Sequence, residues 1–243
     1  MATPSPLFID YFEQDPQPDL SAVSADARYA GAIVKATEGL YYNAKNWFPG
    51  QWAAIVNQSG YGDTWFRGCY HFLKFDQDGA TQADFYLKTV DDAGGWGSGD
   101  LWPIVDVELG GKTNSNQKAT AAQVINCTKA FVQRVASATG REVMLYGNGA
   151  MRDLHIKDRM GCDWLWCPRY TATLPAVIYE RAGWSIDQLL MWQYAGDGTG
   201  VLQNYPTATP DGKKIDHSAL VLQGGVARLK ELLQGQVAVK AAS

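Results

Sequence analysis

About eight short apolar runs, each ending in a residue with chemical reach, set the tightest limit on what this chain can fold into. Leu7-Phe8-Ile9 stops at Asp10, and Ala32-Ile33-Val34 stops at Lys35 with Glu38 just beyond. Gly68-Cys69 leads to Tyr70 and His71, and the run from Trp102 reaches Asp106 and Glu108. Val143-Met144-Leu145 ends at Tyr146, and Trp164-Leu165-Trp166 leads toward Arg169 and Tyr170. Leu189-Leu190-Met191 ends at Trp192 and Gln193, and Lys214-Ile215 ends at Asp216. Runs this short, bounded by polar residues, read as strands buried on both faces.

Most of the runs are separated by stretches that can form a helix. Ala119–Thr139 places Val124, Cys127, Phe131 and Val135 on one stripe, with Gly140 as a stop signal. Trp47–Ser59 and Gln77–Val90 are further candidates. Strands alternating with helices imply a mostly parallel sheet covered by helices. About eight strands in 243 residues suggest one α/β domain, an irregular (β/α) TIM-like barrel. Helical pattern thins after Tyr146, so few helices are expected in the last third. Residues 1–223 form the expected barrel, and 224–243 a short helix (Val226–Leu233) and frayed tail, not a second domain. Gly94–Gly99 and Tyr205–Gly212 read as loops.

In such barrels the active site lies at the C-terminal ends of the strands, where the residues named above gather. The run Trp102–Glu108 is the most telling, because Asp106 and Glu108 stand two residues apart and share one face of a strand. Paired acids are costly unless one keeps its proton, the arrangement that glycosidic cleavage uses. An exposed strand edge accounts for an isolated D-x-E equally well.

Composition removes several function classes. Hydrophobic residues make up 46%, enough for a full core without staples. A net charge of −4 without a basic block argues against nucleic acid. No stretch reaches membrane-spanning length, and MATPSPLFID lacks the pattern of a signal peptide. Cys69, Cys127, Cys162 and Cys167 show neither zinc spacing nor a histidine partner, so no metal or other cofactor is expected. Cys69 and Cys127 fit the core, and the spacing of Cys162 and Cys167 permits a bridge.

The ordered blocks FIDYF (Phe8–Phe12), AIVKATEG (Ala32–Gly39), GCYHF (Gly68–Phe72), QADFYL (Gln82–Leu87), PIVDVE (Pro103–Glu108), TGREVMLYG (Thr139–Gly147), MWQYAGDG (Met191–Gly198) and KIDHSAL (Lys214–Leu220) resemble glycoside hydrolase family 25. The resemblance spans roughly residues 7–222. It implies a muramidase, or lysozyme, that cleaves the β-1,4 bond between N-acetylmuramic acid and N-acetylglucosamine in bacterial peptidoglycan. Glu108 then matches the family's general acid and Asp106 the second acid of D-x-E. Asp10 matches the aspartate closing the first strand and Asp216 the one closing the last. Tyr70, Tyr146, Trp192 and Gln193 fall on groove-lining positions. Two departures stand out: Tyr11-Phe12-Glu13 replaces the usual residues after the first aspartate, and Tyr170–Ser185 aligns loosely.

Glu108 is the better proton donor, since the anions Asp106, Asp10 and Asp216 would raise its pKa. Asp106 either attacks directly or orients the substrate's acetamido group; backbone positions about 6.5–7 Å apart fit neither separation cleanly. Asp10 and Asp216 also read as surface acids, and four acids in one mouth as a cation site. Tyr70, Tyr146, Trp166, Tyr170 and Trp192 are either sugar-stacking or core aromatics. His71 reads as structural. Lys35 pairs with Asp10 or Glu38, or caps the mouth, and is carried with Glu38 among the substrate-binding residues. The expected picture is a monomeric phage endolysin held in the host cytoplasm until holin-mediated release to the wall. The alternative is a catalytically silent glycan-binding barrel.

Overall fold

The computed structural model describes residues 6–174 and 183–241. Eight strands close into a barrel: β1 (Leu7–Tyr11), β2 (Tyr29–Glu38), β4 (Phe66–Phe72), β5 (Ile104–Asp106), β6 (Met144–Tyr146), β7 (Trp164–Pro168), β8 (Leu189–Gly196) and β10 (Asp216–Leu220). Two-residue strands β3 (Tyr42–Asn43) and β9 (Thr199–Gly200) fold back antiparallel on β2 and β8. Neighbours run parallel from β1 through β8. β10 differs: it is antiparallel to both β8 and β1, between which it closes the ring.

That reversal corrects one expectation from the sequence. Asp216 opens β10 rather than closing a strand. It still reaches the mouth, because in a strand running the other way the first residue lies beside the last residues of its neighbours. Asp10 and Asp216 are direct partners in the β1–β10 pairing.

The helices are α1 (Leu20–Ala25), α2 (Phe48–Val56), α3 (Gly79–Asp92), α4 (Ala121–Thr139), α5 (Gly149–Asp153) and α6 (Gly225–Ala241). Between them α2, α3 and α4 fall within the stretches read as helical, give or take two residues. α4 has a capping box of Thr120 and Gln123, and Gly140 ends it at φ 65°, a left-handed conformation that suits glycine. Its expected stripe is buried and faces α3. After β6, the described residues hold only five-residue α5, a single turn at Ile186–Gln188, and α6. The last third is therefore sparse in helix, as the pattern predicts.

Strand side chains alternate between two layers. Ile9, Val105, Leu145 and Leu165 face the helices, while Phe8, Ile104, Met144 and Trp166 fill the barrel. α6 outruns the expected end at Leu233, and its Leu229 and Leu233 join the barrel-interior cluster with Phe8, Leu220 and Leu222. It thus seals the floor opposite the mouth. All four cysteines are buried and free, so Cys162 and Cys167 form no bridge.

Below the mouth, the loop read at Gly94–Gly99 is pinned by a buried ion pair. Arg67 meets Asp100 through Nε and Nη2, both at 2.6 Å, and its guanidinium lies 3.4 Å over the Trp52 ring. Tyr61 and the Gly97 amide also donate to Asp100, so this buried carboxylate is fully bonded.

Removing the plug should show directly. Leu229→Ala is expected to cost about 2–5 kcal/mol of unfolding free energy in a denaturant titration. An unchanged midpoint would mean that α6 does not contribute to the core.

Candidate active site

Period-two alternation delivers the site. In β5 and its extension, Val105 and Val107 face the helices, so Asp106 and Glu108 both face inward, as the D-x-E spacing predicts. Asp106 lies in register with Phe72 on β4 and Tyr146 on β6, and Tyr146 with Trp166 on β7. With Tyr70, Asp10, Glu108 and Asp216, these residues line a pocket of about 150 Å³ in the barrel mouth.

Glu108 lies past the end of β5, yet its backbone is fixed. The Val107 amide donates to the Tyr146 carbonyl, and Asn116 Nδ2 donates to the Glu108 carbonyl at 2.9 Å. Asn116 also bonds Leu73 and Phe75, tying this segment to the end of β4. Gly147 (φ 148°) makes room, because a Cβ there would sit 2.6 Å from the Val107 carbonyl oxygen.

Each of the four carboxyls is held above the usual carboxylate range, chiefly by burial. For Asp10 the Asp216 charge adds to burial, and a hydrogen bond from Gln193 opposes it. For Asp106 the Glu108 charge adds, and Lys35 opposes. Asp216 is pushed up to about 7, opposed by a hydrogen bond from the Asp197 amide. Glu108 is raised by burial against the pull of Lys35. Desolvation is the leading cause for Glu108, and the repulsion between its charge and that of Asp106 acts on both acids of the pair. Asp106 carries the one buried carboxyl oxygen, Oδ1, that has no hydrogen-bond partner among the described residues.

Among the aromatics, Tyr70, Tyr146 and Trp166 line the pocket, with the Trp166 indole donating to Ser218. Tyr170 stands at the rim, half exposed, with its hydroxyl 2.7 Å from Gln193 Oε1. Trp192 does not join them. Adjacent residues of one strand face opposite ways, so with Gln193 inward Trp192 packs in the outer layer and donates to the Arg169 carbonyl.

Lys35 and Glu38 lie outside the pocket lining. Lys35 pairs with Glu38 at 2.5 Å, not with Asp10, and Lys74 meets the same carboxylate at 2.9 Å. Rings of Phe12, Tyr42 and Phe72 surround the Lys35 ammonium. His71 is structural: it bonds Thr37 and Gln82, and burial lowers its pKa to about 3. Sequence reasoning missed Phe72, which the Tyr70-x-Phe72 spacing on one strand face would have revealed. It also missed Asn116, for which the loop sequence carries no periodic signal.

The chain belongs to the glycosyl hydrolases family 25, whose family profile matches residues 9–201. It is 36% identical over 130 residues to the N,O-diacetylmuramidase of Chalaropsis sp, covering 52% of this chain and 58% of that relative. The chain therefore spans a little over half the length of that relative. Among solved structures, the bacterial lysozyme from Streptomyces coelicolor superimposes with a TM-score of 0.74 at 21% identity, over 97% of this chain and 100% of that one. The muramidase from Acremonium alcalophilum gives 0.72 at 22% identity, over 95% and 99%. These two likenesses share the irregular barrel.

The elevated pKa of Asp216 makes a stability claim. The folded state holds this proton more tightly than the unfolded chain, whose value lies near 3.8, so stability is lost as pH rises toward about 7. Asp216→Asn removes that loss. Its melting temperature should exceed the parent's above about pH 7, by about 2–4 °C per kcal/mol relieved, with the gain vanishing below about 3.8. A pH-independent difference would contradict the assignment.

Proposed function

We propose that the barrel is a peptidoglycan hydrolase that cleaves the β-1,4 bond between N-acetylmuramic acid and N-acetylglucosamine. The observation that carries this reading is the D-x-E pair, buried Asp106 and half-buried Glu108, sharing one mouth with Asp10 and Asp216 in a family 25 barrel. Among the described residues, no lysine or arginine forms an ion pair with any of the four. The Chalaropsis relative, an N,O-diacetylmuramidase, supports the same substrate class.

In the proposed reaction Glu108 gives its proton to the leaving oxygen as the bond to the anomeric carbon breaks. The acetamido carbonyl oxygen of the muramic acid unit closes on that carbon from the other side. Its N–H is received by Asp106 Oδ1, the oxygen that lacks a partner. Water then opens the resulting oxazolinium ring and passes a proton to the Glu108 carboxylate, restoring the acid. Tyr70, Trp166 and Phe72 present rings to the sugar, and Tyr146 shapes the wall beside Asp106.

Digestion of purified sacculi, borohydride reduction and mass spectrometry of the soluble fragments test the reading. Reduced muramic acid ends are expected. Glu108→Gln should lower turnover by about 10²–10⁴-fold with glycan binding intact, and Asp106→Asn should lower it by orders of magnitude. Intact strands that still retain the wild-type protein would instead establish a silent glycan-binding barrel. A glycosyl ester trapped on Asp106 would replace the acetamido route by direct attack. We extend the proposal to a monomeric phage endolysin held in the host cytoplasm. Lysis of expressing cells only when a holin is co-expressed would support it, and lysis without one would overturn it.

A further inference from the structure

Gln193 has no hydrogen-bonding capacity left for a substrate. The residue is fully buried. Its Nε2 donates to Asp10 Oδ1 at 3.0 Å and Oδ2 at 3.2 Å, and to Asp216 Oδ2 at 3.1 Å. Its Oε1 accepts from Tyr146 at 2.9 Å and Tyr170 at 2.7 Å. A primary amide has two protons and two lone pairs to give, and all are used. The reverse orientation would aim a carbonyl oxygen at two carboxyls and be satisfied only while one of them holds a proton.

The four carboxyls of the mouth therefore fall into two kinds. Every oxygen of Asp10 and Asp216 receives an N–H, the last being Asp216 Oδ1 from the Asp197 amide at 2.9 Å. Asp106 Oδ1 receives none, and among the described residues no group bonds the Glu108 carboxyl. Donors directed at a carboxyl favour its charged form, while an unbonded buried oxygen favours the neutral acid. We propose that Gln193 is a positioning residue for the reaction rather than a substrate ligand: its amide favours the charged forms of Asp10 and Asp216 against the burial that opposes them, and leaves the working proton on the Asp106–Glu108 pair. This assignment of the proton rests on the muramidase reading above.

The surroundings of the pair leave this task to the amide. Asp15 beyond β1, Asp197 beyond β8 and Glu108 beyond β5 face it with negative charge. Tyr70, Tyr146 and Tyr170 add only weak acids. Lys35 on β2, a cation beside the mouth, acts on Asp106, Glu108 and Asp15 instead. A positive side chain in place of Gln193 would neutralise the pair, whereas an amide supports its charge and preserves it.

The test compares Gln193→Met and Gln193→Glu with the parent on soluble peptidoglycan fragments, following kcat and KM against pH. Gln193→Met should lower kcat about tenfold or more with KM within about twofold. Its acid limb should move to higher pH by about one unit, the scale of one charge-assisted hydrogen bond. Gln193→Glu, which adds a charge, should move that limb further. A raised KM with an unmoved pH profile would make Gln193 a substrate ligand and overturn the proposal. Lowered stability with kcat, KM and profile unchanged would reduce it to a filler, also overturning it. Wild-type protein supplies a readout independent of folding of the variants and of turnover. The side-chain ¹⁵N and ¹H signals of Gln193 should titrate together with the carboxyl carbons of Asp10 and Asp216. Flat amide signals across that titration overturn the clamp. Coupled signals in a protein that leaves glycan strands intact would uphold the clamp and sink the muramidase reading.

Discussion

Strand β10 enters the barrel against the direction of the other seven strands, between β8 and β1, and the chemistry of the mouth depends on that entry. An eighth parallel strand would need a crossover and would bring its last residue to the mouth. An antiparallel one brings its first, so Asp216 arrives opposite Asp10 while Leu220 runs down to the floor. The chain then leaves at the bottom, where α6 covers the opening with Leu229 and Leu233. One reversal thus builds the acid pair and seals the barrel beneath it.

Placing four carboxyls in this mouth works against stability. Burial raises every one of them, so near neutral pH the folded state holds charge at a cost or holds protons that water would remove. The rest of the molecule shows the usual remedy. Asp100, fully buried, has Arg67, Tyr61 and a backbone amide as partners. That remedy is withheld at the mouth, where a guanidinium would cancel the charge that the proposed glycosidic cleavage needs. The amide of Gln193 and the more distant Lys35 moderate the carboxyls without pairing them. Sites that keep such uncompensated groups are paid for by packing elsewhere, here by a doubly layered core.

The scaffold also explains why the site holds still. Asp10, Tyr70, Asp106, Tyr146, Trp166, Gln193 and Asp216 all belong to barrel strands, each locked by pairing on two sides. Glu108, just off β5, is recovered by Asn116 and by the close approach that Gly147 allows. Tyr170, on the segment after β7, is joined to β8 through its hydroxyl bond to Gln193 and the close approach of its ring to Gly196. Positioning by strands rather than loops keeps donors and acids within a fixed geometry, which proton transfer requires.

What could be read from the chain alone follows the range of the physics involved. Period two is local, so the shared inward face of Asp106 and Glu108 was legible from three residues. The α4 stripe and its glycine stop were legible from twenty. The same local rule, applied to Met191-Trp192-Gln193, would have turned Trp192 outward, but the family resemblance drew both neighbours into the groove. Direction and partnership are different in kind. Whether Asp216 begins or ends its strand depends on how the barrel closes more than two hundred residues away from β1. That Gln193 meets Asp10 across 183 residues of sequence depends on the same closure. Desolvation is likewise a property of the assembled mouth: the charges near Glu108 can be counted in the sequence, but the water excluded around it cannot. The acids were therefore visible beforehand as a set, whereas their division into bonded and unbonded pairs exists only once the ring is shut.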